Sequence, residues 1–203
     1  MATPITRRNM LALGLCAGLA PLTIGSGTMG FGSQARATEA LWRKLRDGGY
    51  TILLRHANAP GTGDPRNFEL GNCATQRNLD SRGRLDARRI GAQFAARGTV
   101  ITEVLTSEWC RCQDTAELAF EGNDIEAFPP INSFFRTPET EVEQTAATLE
   151  RIYNFSGIGN QVMVTHQVNI TALTGERPRQ GDAIVVRPNV TFDAIERVGR
   201  LTF

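Results

Sequence analysis

Three short apolar runs, residues 50–55 (YTILLR), 104–107 and 161–165 (QVMVT), constrain this chain most, because each has strand length and the segments between them have helical period. Residues 83–96 set Leu85, Ile90, Ala92, Phe94 and Ala95 among arginines, and residues 139–153 bring Val142, Ala146, Leu149 and Ile152 near one face. Residues 183–187 and 194–203 supply further strand candidates towards the C-terminus. Strands alternating with helices predict an α/β three-layer sandwich, an open and mainly parallel sheet with helices on both faces. In such sheets a site lies beyond the carboxyl ends of the strands.

Residues 1–37 read as a targeting segment. Arg7 and Arg8 precede a mostly small and apolar run over residues 10–24, and Ala35-Arg36-Ala37 forms an A-x-A cleavage signal that would leave Thr38 as the new N-terminus. The paired arginines before a weakly hydrophobic, glycine-containing stretch resemble the signal of the twin-arginine export machinery, which implies a periplasmic or secreted protein. The apolar run, interrupted by Gly14, Gly18 and Pro21, is short against the roughly 20 residues that span a bilayer. Residues 38–203 then form one domain with no apolar stretch of spanning length. They carry 19 basic and 21 acidic groups, so no basic field for nucleic acid remains. With two histidines, and four cysteines none of which forms a C-x-x-C pair, the chain lacks the ligands of a structural zinc cage, and neither metal nor cofactor is expected.

The strand ends hold the chemistry. The first ends in Arg55-His56-Ala57, the second leads through Ser107 to Arg111, and the third ends in Thr165-His166-Gln167. Both histidines of the chain therefore fall at strand ends. Two histidines and two arginines at one edge of a sheet make a cationic pocket that calls for an anion, and a tetrahedral phosphoryl group suits it.

These residues resemble the histidine phosphatase superfamily, which shares its fold with the cofactor-dependent phosphoglycerate mutases. The resemblance runs through Leu54-Arg55-His56-Ala57 against an Arg-His-Gly turn. It continues through Leu79, Gly83 and Ala87 at four-residue intervals, through Ser107, Arg111, Thr115 and Ala116, and through His166 after a late strand. It implies that His56 is the nucleophile, attacking phosphorus in line to form a phosphohistidine, with Arg55, Arg111 and His166 clamping the phosphoryl oxygens. Such enzymes also carry an acid that protonates the leaving group, after the second histidine or in an acidic segment beyond the second arginine. Here Gln167 and the Ile131-Asn132-Ser133 segment occupy those places, leaving Glu141, Glu139 and Asp64 as candidate acids.

Residues 58–78 form a long loop directly after the nucleophile, where loops of this length carry function. Thr62, Gln76 and Arg77 are its candidate substrate contacts. Cys73 can bridge to Cys110 or to Cys112, and spacing alone leaves both open. The resemblance implies a substrate that is a phosphorylated small molecule or an envelope glycan. A phosphohistidine protein, whose leaving group needs no acid, and a phosphate-binding module without turnover are the alternatives.

Overall fold

The computed structural model describes residues 29–189 and 194–203. Its elements are α1 (Met29–Asp47), β1 (Thr51–Arg55), α2 (Ser81–Ala96), β2 (Ile101–Thr106), α3 (Cys110–Ala119), β3 (Ile125–Ala127), α4 (Glu141–Asn154), β4 (Asn160–Thr165), α5 (Gln167–Thr174), β5 (Ala183–Asn189) and β6 (Ala194–Leu201). The strands join in one sheet of order β3-β2-β4-β1-β5-β6. The first four run parallel, and β5 and β6 are added antiparallel to their neighbours.

Alternation along the strands splits the core into two layers. Ile52, Leu54, Val104, Val162, Val164 and Val185 face one side, where they meet Trp42 and Leu45 of α1, Ile90 and Phe94 of α2, and Ala116 of α3. Leu53, Leu105, Met163 and Ile184 face the other, against Ile152 of α4, Ile170 of α5 and Ile131. The expected three-layer sandwich is therefore present.

Some local expectations change. The second strand starts at Ile101 rather than at residue 104, because its first half alternates with polar Thr102 and Glu103 and is only partly buried. The helical periods also mislead at single positions: Leu85 is 47% and Val142 is 81% exposed. On α2 the buried face is Gly83, Ala87, Ile90 and Phe94, and on α4 it is Thr148 and Ile152.

The twin-arginine pair and its apolar run lie outside the described residues. Helix α1 passes through Ala35-Arg36-Ala37, and among the described residues its buried side chains, Leu41, Trp42 and Leu45, follow that segment. Among the described residues no helix is long and apolar enough to cross a membrane.

Candidate active site

Parallel pairing of β1 with β4 sets Arg55 opposite Thr165, so His56 and His166 leave the sheet side by side. The His56 amide donates to the Thr165 carbonyl (3.0 Å), and the Ser107 amide at the end of β2 donates to the Val164 carbonyl (3.0 Å). Three strand ends therefore open onto one spot, with the two imidazole centroids 5.6 Å apart. Small residues allow the close packing behind it. Ala57 and Ala59 lie against Leu79 and Ala87, and a Cβ at Gly83 would sit 2.0 Å from the Asn58 carbonyl oxygen. The Leu79, Gly83 and Ala87 spacing is thus the seat on which the loop after His56 rests. The Thr115 hydroxyl of α3 accepts from the Ala57 amide (3.0 Å).

Hydrogen bonding fixes the protonation of both rings. His56 Nδ1 lies 2.8 Å from the Ala57 carbonyl, which can only accept, so Nδ1 carries the proton and Nε2 holds a free lone pair. Burial, then the charge of Arg111, hold this imidazole well below its ordinary pKa, in the neutral form a nucleophile needs. His166 is the opposite tautomer. Its Nδ1 accepts from Arg111 Nη2 (3.3 Å), so Nε2 donates to Ser107 Oγ (2.8 Å). The Ser107 hydroxyl donates in turn to Asn132 Oδ1 (3.1 Å), and Asn132 Nδ2 donates to Glu108 Oε2 (2.7 Å). This chain locks the ring's orientation. Burial is also the first cause that lowers the His166 pKa, ahead of Arg111.

A cavity of about 440 Å³ opens above the histidines and is lined by Arg55, Arg77 and Arg111. Arg55 is held by Gln167 Oε1 (3.0 Å) and the Pro178 carbonyl (2.9 Å). Arg77 donates through Nε to the Gly63 carbonyl (2.8 Å) and through Nη1 to Ala59, and burial beside Arg111 pushes its pKa down to about 10. Asp64, buried with Arg111, is the only carboxylate lining the cavity among the described residues. It takes Arg111 in a two-pronged pair, Nη1 to Oδ1 at 2.7 Å and Nη2 to Oδ2 at 3.3 Å. Trp109 Nε1 (3.1 Å) and the Arg77 amide (3.2 Å) also donate to it. Burial opposes ionisation of this carboxyl, but Arg111 and the other donors outweigh it and hold the pKa below its ordinary value. Arg136 also lines the cavity but is exposed, whereas the three guanidiniums that act on the histidines, set against one carboxylate, leave a net charge that a phosphoryl dianion would neutralise. Among the described residues no group of three or more His, Cys, Asp and Glu could hold a metal ion.

The structure brings together His56, His166, Arg55, Arg111, Arg77 and Thr62, all at the cavity wall. Four sequence-based assignments change. Gln76 is buried away from the cavity, with Oε1 accepting the Cys110 amide (3.0 Å) at the start of α3 and Nε2 donating to the Glu69 carbonyl (3.2 Å). It is a brace for the loop. Glu139 and Glu141 are exposed and do not line the cavity, because Pro138 starts a helical turn that carries both outwards. Asp64 lines the cavity, yet as an ionised partner of Arg111 it has no proton to give. The open choice of disulfide resolves to Cys73–Cys110, with Cα atoms 5.7 Å apart. Cys112 stays free and buried with its Sγ 3.5 Å from His166 Nε2, and burial pushes its thiol pKa up to about 12. Sequence reasoning missed the aromatic residues of the cavity, Phe68, Trp109 and Phe135, and the locking role of Asn132. The only signal for them was their place in loops beside the motif residues.

No protein-family model and no curated protein matches the chain. Solved structures do. The alpha-ribazole phosphatase of Shigella flexneri is 16% identical, over 73% of this chain and 94% of its own, with a TM-score of 0.54. A mycobacterial glucosyl-3-phosphoglycerate phosphatase solved in complex with VO3 is 12% identical, over 74% and 97% of the two chains, with a TM-score of 0.54. A structure from Agrobacterium tumefaciens, proposed to be the phosphohistidine phosphatase SixA, is 21% identical over 76% and 99%, with a TM-score of 0.51.

Proposed function

Because the chain has the fold of the histidine phosphatase superfamily, we propose that it is a phosphatase working through a phosphohistidine on His56 without a metal. The observation that carries this reading is the tautomer of His56. Its proton sits on Nδ1, against the Ala57 carbonyl, so the lone pair of Nε2 belongs to a neutral ring at the wall of a cavity where Arg55, Arg77 and Arg111 bear on it. Nε2 attacks phosphorus, the N–P bond forms as the P–O bond to the leaving group breaks, and water then attacks the phosphohistidine to release inorganic phosphate. Arg55, Arg77 and Arg111 offset the charge spread over the equatorial oxygens. The residues at the wall supply no carboxylic acid, so the leaving group departs without a proton from one. Substrates with weakly basic leaving groups suit this site. An exported enzyme would meet envelope phosphate esters, sugar phosphates among them, of which those with weakly basic leaving groups fit this wall, and the Cys73–Cys110 bridge suits an oxidising compartment.

Purified protein given p-nitrophenyl phosphate is expected to turn over in EDTA, to be inhibited by vanadate, and to yield an acid-labile phosphate label on His56 after rapid quenching. His56→Ala should lose both label and turnover. Vanadate binding without turnover would make the chain an anion-binding module, and loss of activity in EDTA would end the metal-free mechanism. For export, replacing Arg7 and Arg8 by lysine is expected to retain precursor in the cytoplasm, while the unmodified chain is recovered outside the inner membrane starting at Thr38. Export of the double-lysine chain at an unchanged rate would point to the general secretory route.

A further inference from the structure

The cavity extends well past what a phosphoryl group fills, and its outer part is aromatic. Trp109 meets His166 edge-on at 5.3 Å between centroids, and Phe68 stacks on Trp109 at 5.1 Å with planes 18° apart. A continuous ring surface therefore starts at the second histidine and leads outwards. Ser133, Phe135, Arg136 and Thr137 line the same cavity. Phe135 lines the cavity while 60% exposed, near Gly63, where a Cβ would stand 3.9 Å from the Phe135 ring. Beside it Arg136 Nη1 donates to the Pro65 carbonyl (3.1 Å), tying that segment to the loop that carries Phe68. Three aromatic rings lining one cavity beside the histidines favour a flat, apolar group there.

A second observation concerns chemistry rather than shape. The cavity wall offers no protonated carboxyl, since Asp64 accepts from Trp109 Nε1 and the Arg77 amide as well as from Arg111, and Glu139 and Glu141 lie outside. A group leaving unaided must be stable as an anion. A phenolate, whose conjugate acid has a pKa of about 10, meets that need far better than a sugar alkoxide. Shape and chemistry thus select the same kind of molecule. We infer that the part of the cavity lined by Phe68, Trp109 and Phe135 is a leaving-group subsite for an aromatic ring, and that the substrate class is an aryl phosphate; this rests on the phosphatase reading above.

The test separates the ring from its acidity. Phenyl phosphate is compared with hexafluoroisopropyl phosphate, an alkyl ester whose alcohol is about as acidic as a phenol, so the demand for a proton is matched. The expected result is a kcat/KM ratio of about tenfold or more in favour of the aryl ester, falling to near one in Phe135→Ala. Phe135 is largely exposed, so its truncation leaves folding intact, which a thermal melt checks. A ratio near one in the unmodified protein, or an unchanged ratio in the variant, overturns the subsite while leaving the phosphatase reading standing. Failure to hydrolyse either ester, with no phosphohistidine label on His56, sinks the phosphatase reading itself. A phosphotyrosine hexapeptide forms the last arm. Faster turnover of the peptide than of phenyl phosphate assigns the ring to a protein side chain, and slower turnover assigns it to a free small molecule.

Discussion

Asp64 faces Arg111 with both oxygens, and the four terminal N–H bonds of Arg111 are all engaged: two by Asp64, one by the Arg77 carbonyl and one by His166 Nδ1. Only Nε is left, buried and without a partner. An incoming phosphoryl group therefore competes with Asp64 for the same fork. Asp64→Asn removes the competitor and leaves a buried guanidinium short of a counter-charge, which costs about 3–5 kcal/mol. The variant should melt on the order of 10 °C lower in phosphate-free buffer. It should also gain more from added phosphate or vanadate than the unmodified protein does, because the anion then supplies the missing charge. Thermal melts with and without vanadate check this, and equal vanadate shifts in both proteins would show that Asp64 and the anion do not compete.

Elements reach the site through glycine as much as through charge. Helix α2 starts at an Asp80 cap, whose carboxylate accepts the Gly83 amide (2.7 Å) and the Asn58 side-chain amide (3.1 Å), so the helix start and the nucleophile's loop share one residue. Gly83→Ala places a methyl into the Asn58 carbonyl, at 2.0 Å if nothing moves. The gain of about 1 kcal/mol in helix propensity is offset by overpacking of about 1–3 kcal/mol. We expect a lower Tm together with a reduced kcat, because residue 58 lies two positions after His56. An unchanged kcat in a destabilised variant would uncouple the helix seat from the nucleophile. This element also shows what the sequence could and could not reveal. Arg55, His56 and His166 were legible because strand ends of a parallel sheet must converge, and Arg111 because its helix follows such an end. Gln76 was misread because a polar loop side chain serves a backbone amide as readily as a ligand. Phe135 carried no signal at all, since its place beside Gly63 in the cavity wall depends on how two loops far apart in the chain fold towards each other.

At the scale of the whole molecule, both histidines are buried and neutral, with pKa values well below the ordinary 6.5. Above that ordinary value they are neutral in the folded and unfolded chains alike and add no pH dependence. Below it, the unfolded chain takes up protons that the folded one refuses until the pH reaches the lowered folded values. Stability should therefore fall with decreasing pH from about 6.5 downwards, by about 1.4 kcal/mol per pH unit for each histidine. Urea melts between pH 8 and 5 would show it, and His166→Gln should remove one histidine's share of the slope. Stability that is level from pH 7 to pH 5.5 would mean that the rings titrate normally in the fold.

The sheet order carries a consequence for how the chain is made. Strand β1, which delivers His56, pairs only with β4 and β5, whose residues come more than a hundred positions later in the chain. As the polypeptide leaves the ribosome, both edges of this apolar TILLR segment stay open until β4 and β5 have emerged. Such late, long-range closure is slow, and an open apolar edge invites pairing with the wrong partner meanwhile. His56 thus follows the strand that waits longest for its neighbours, and the centre of the site is completed only once β5 has emerged.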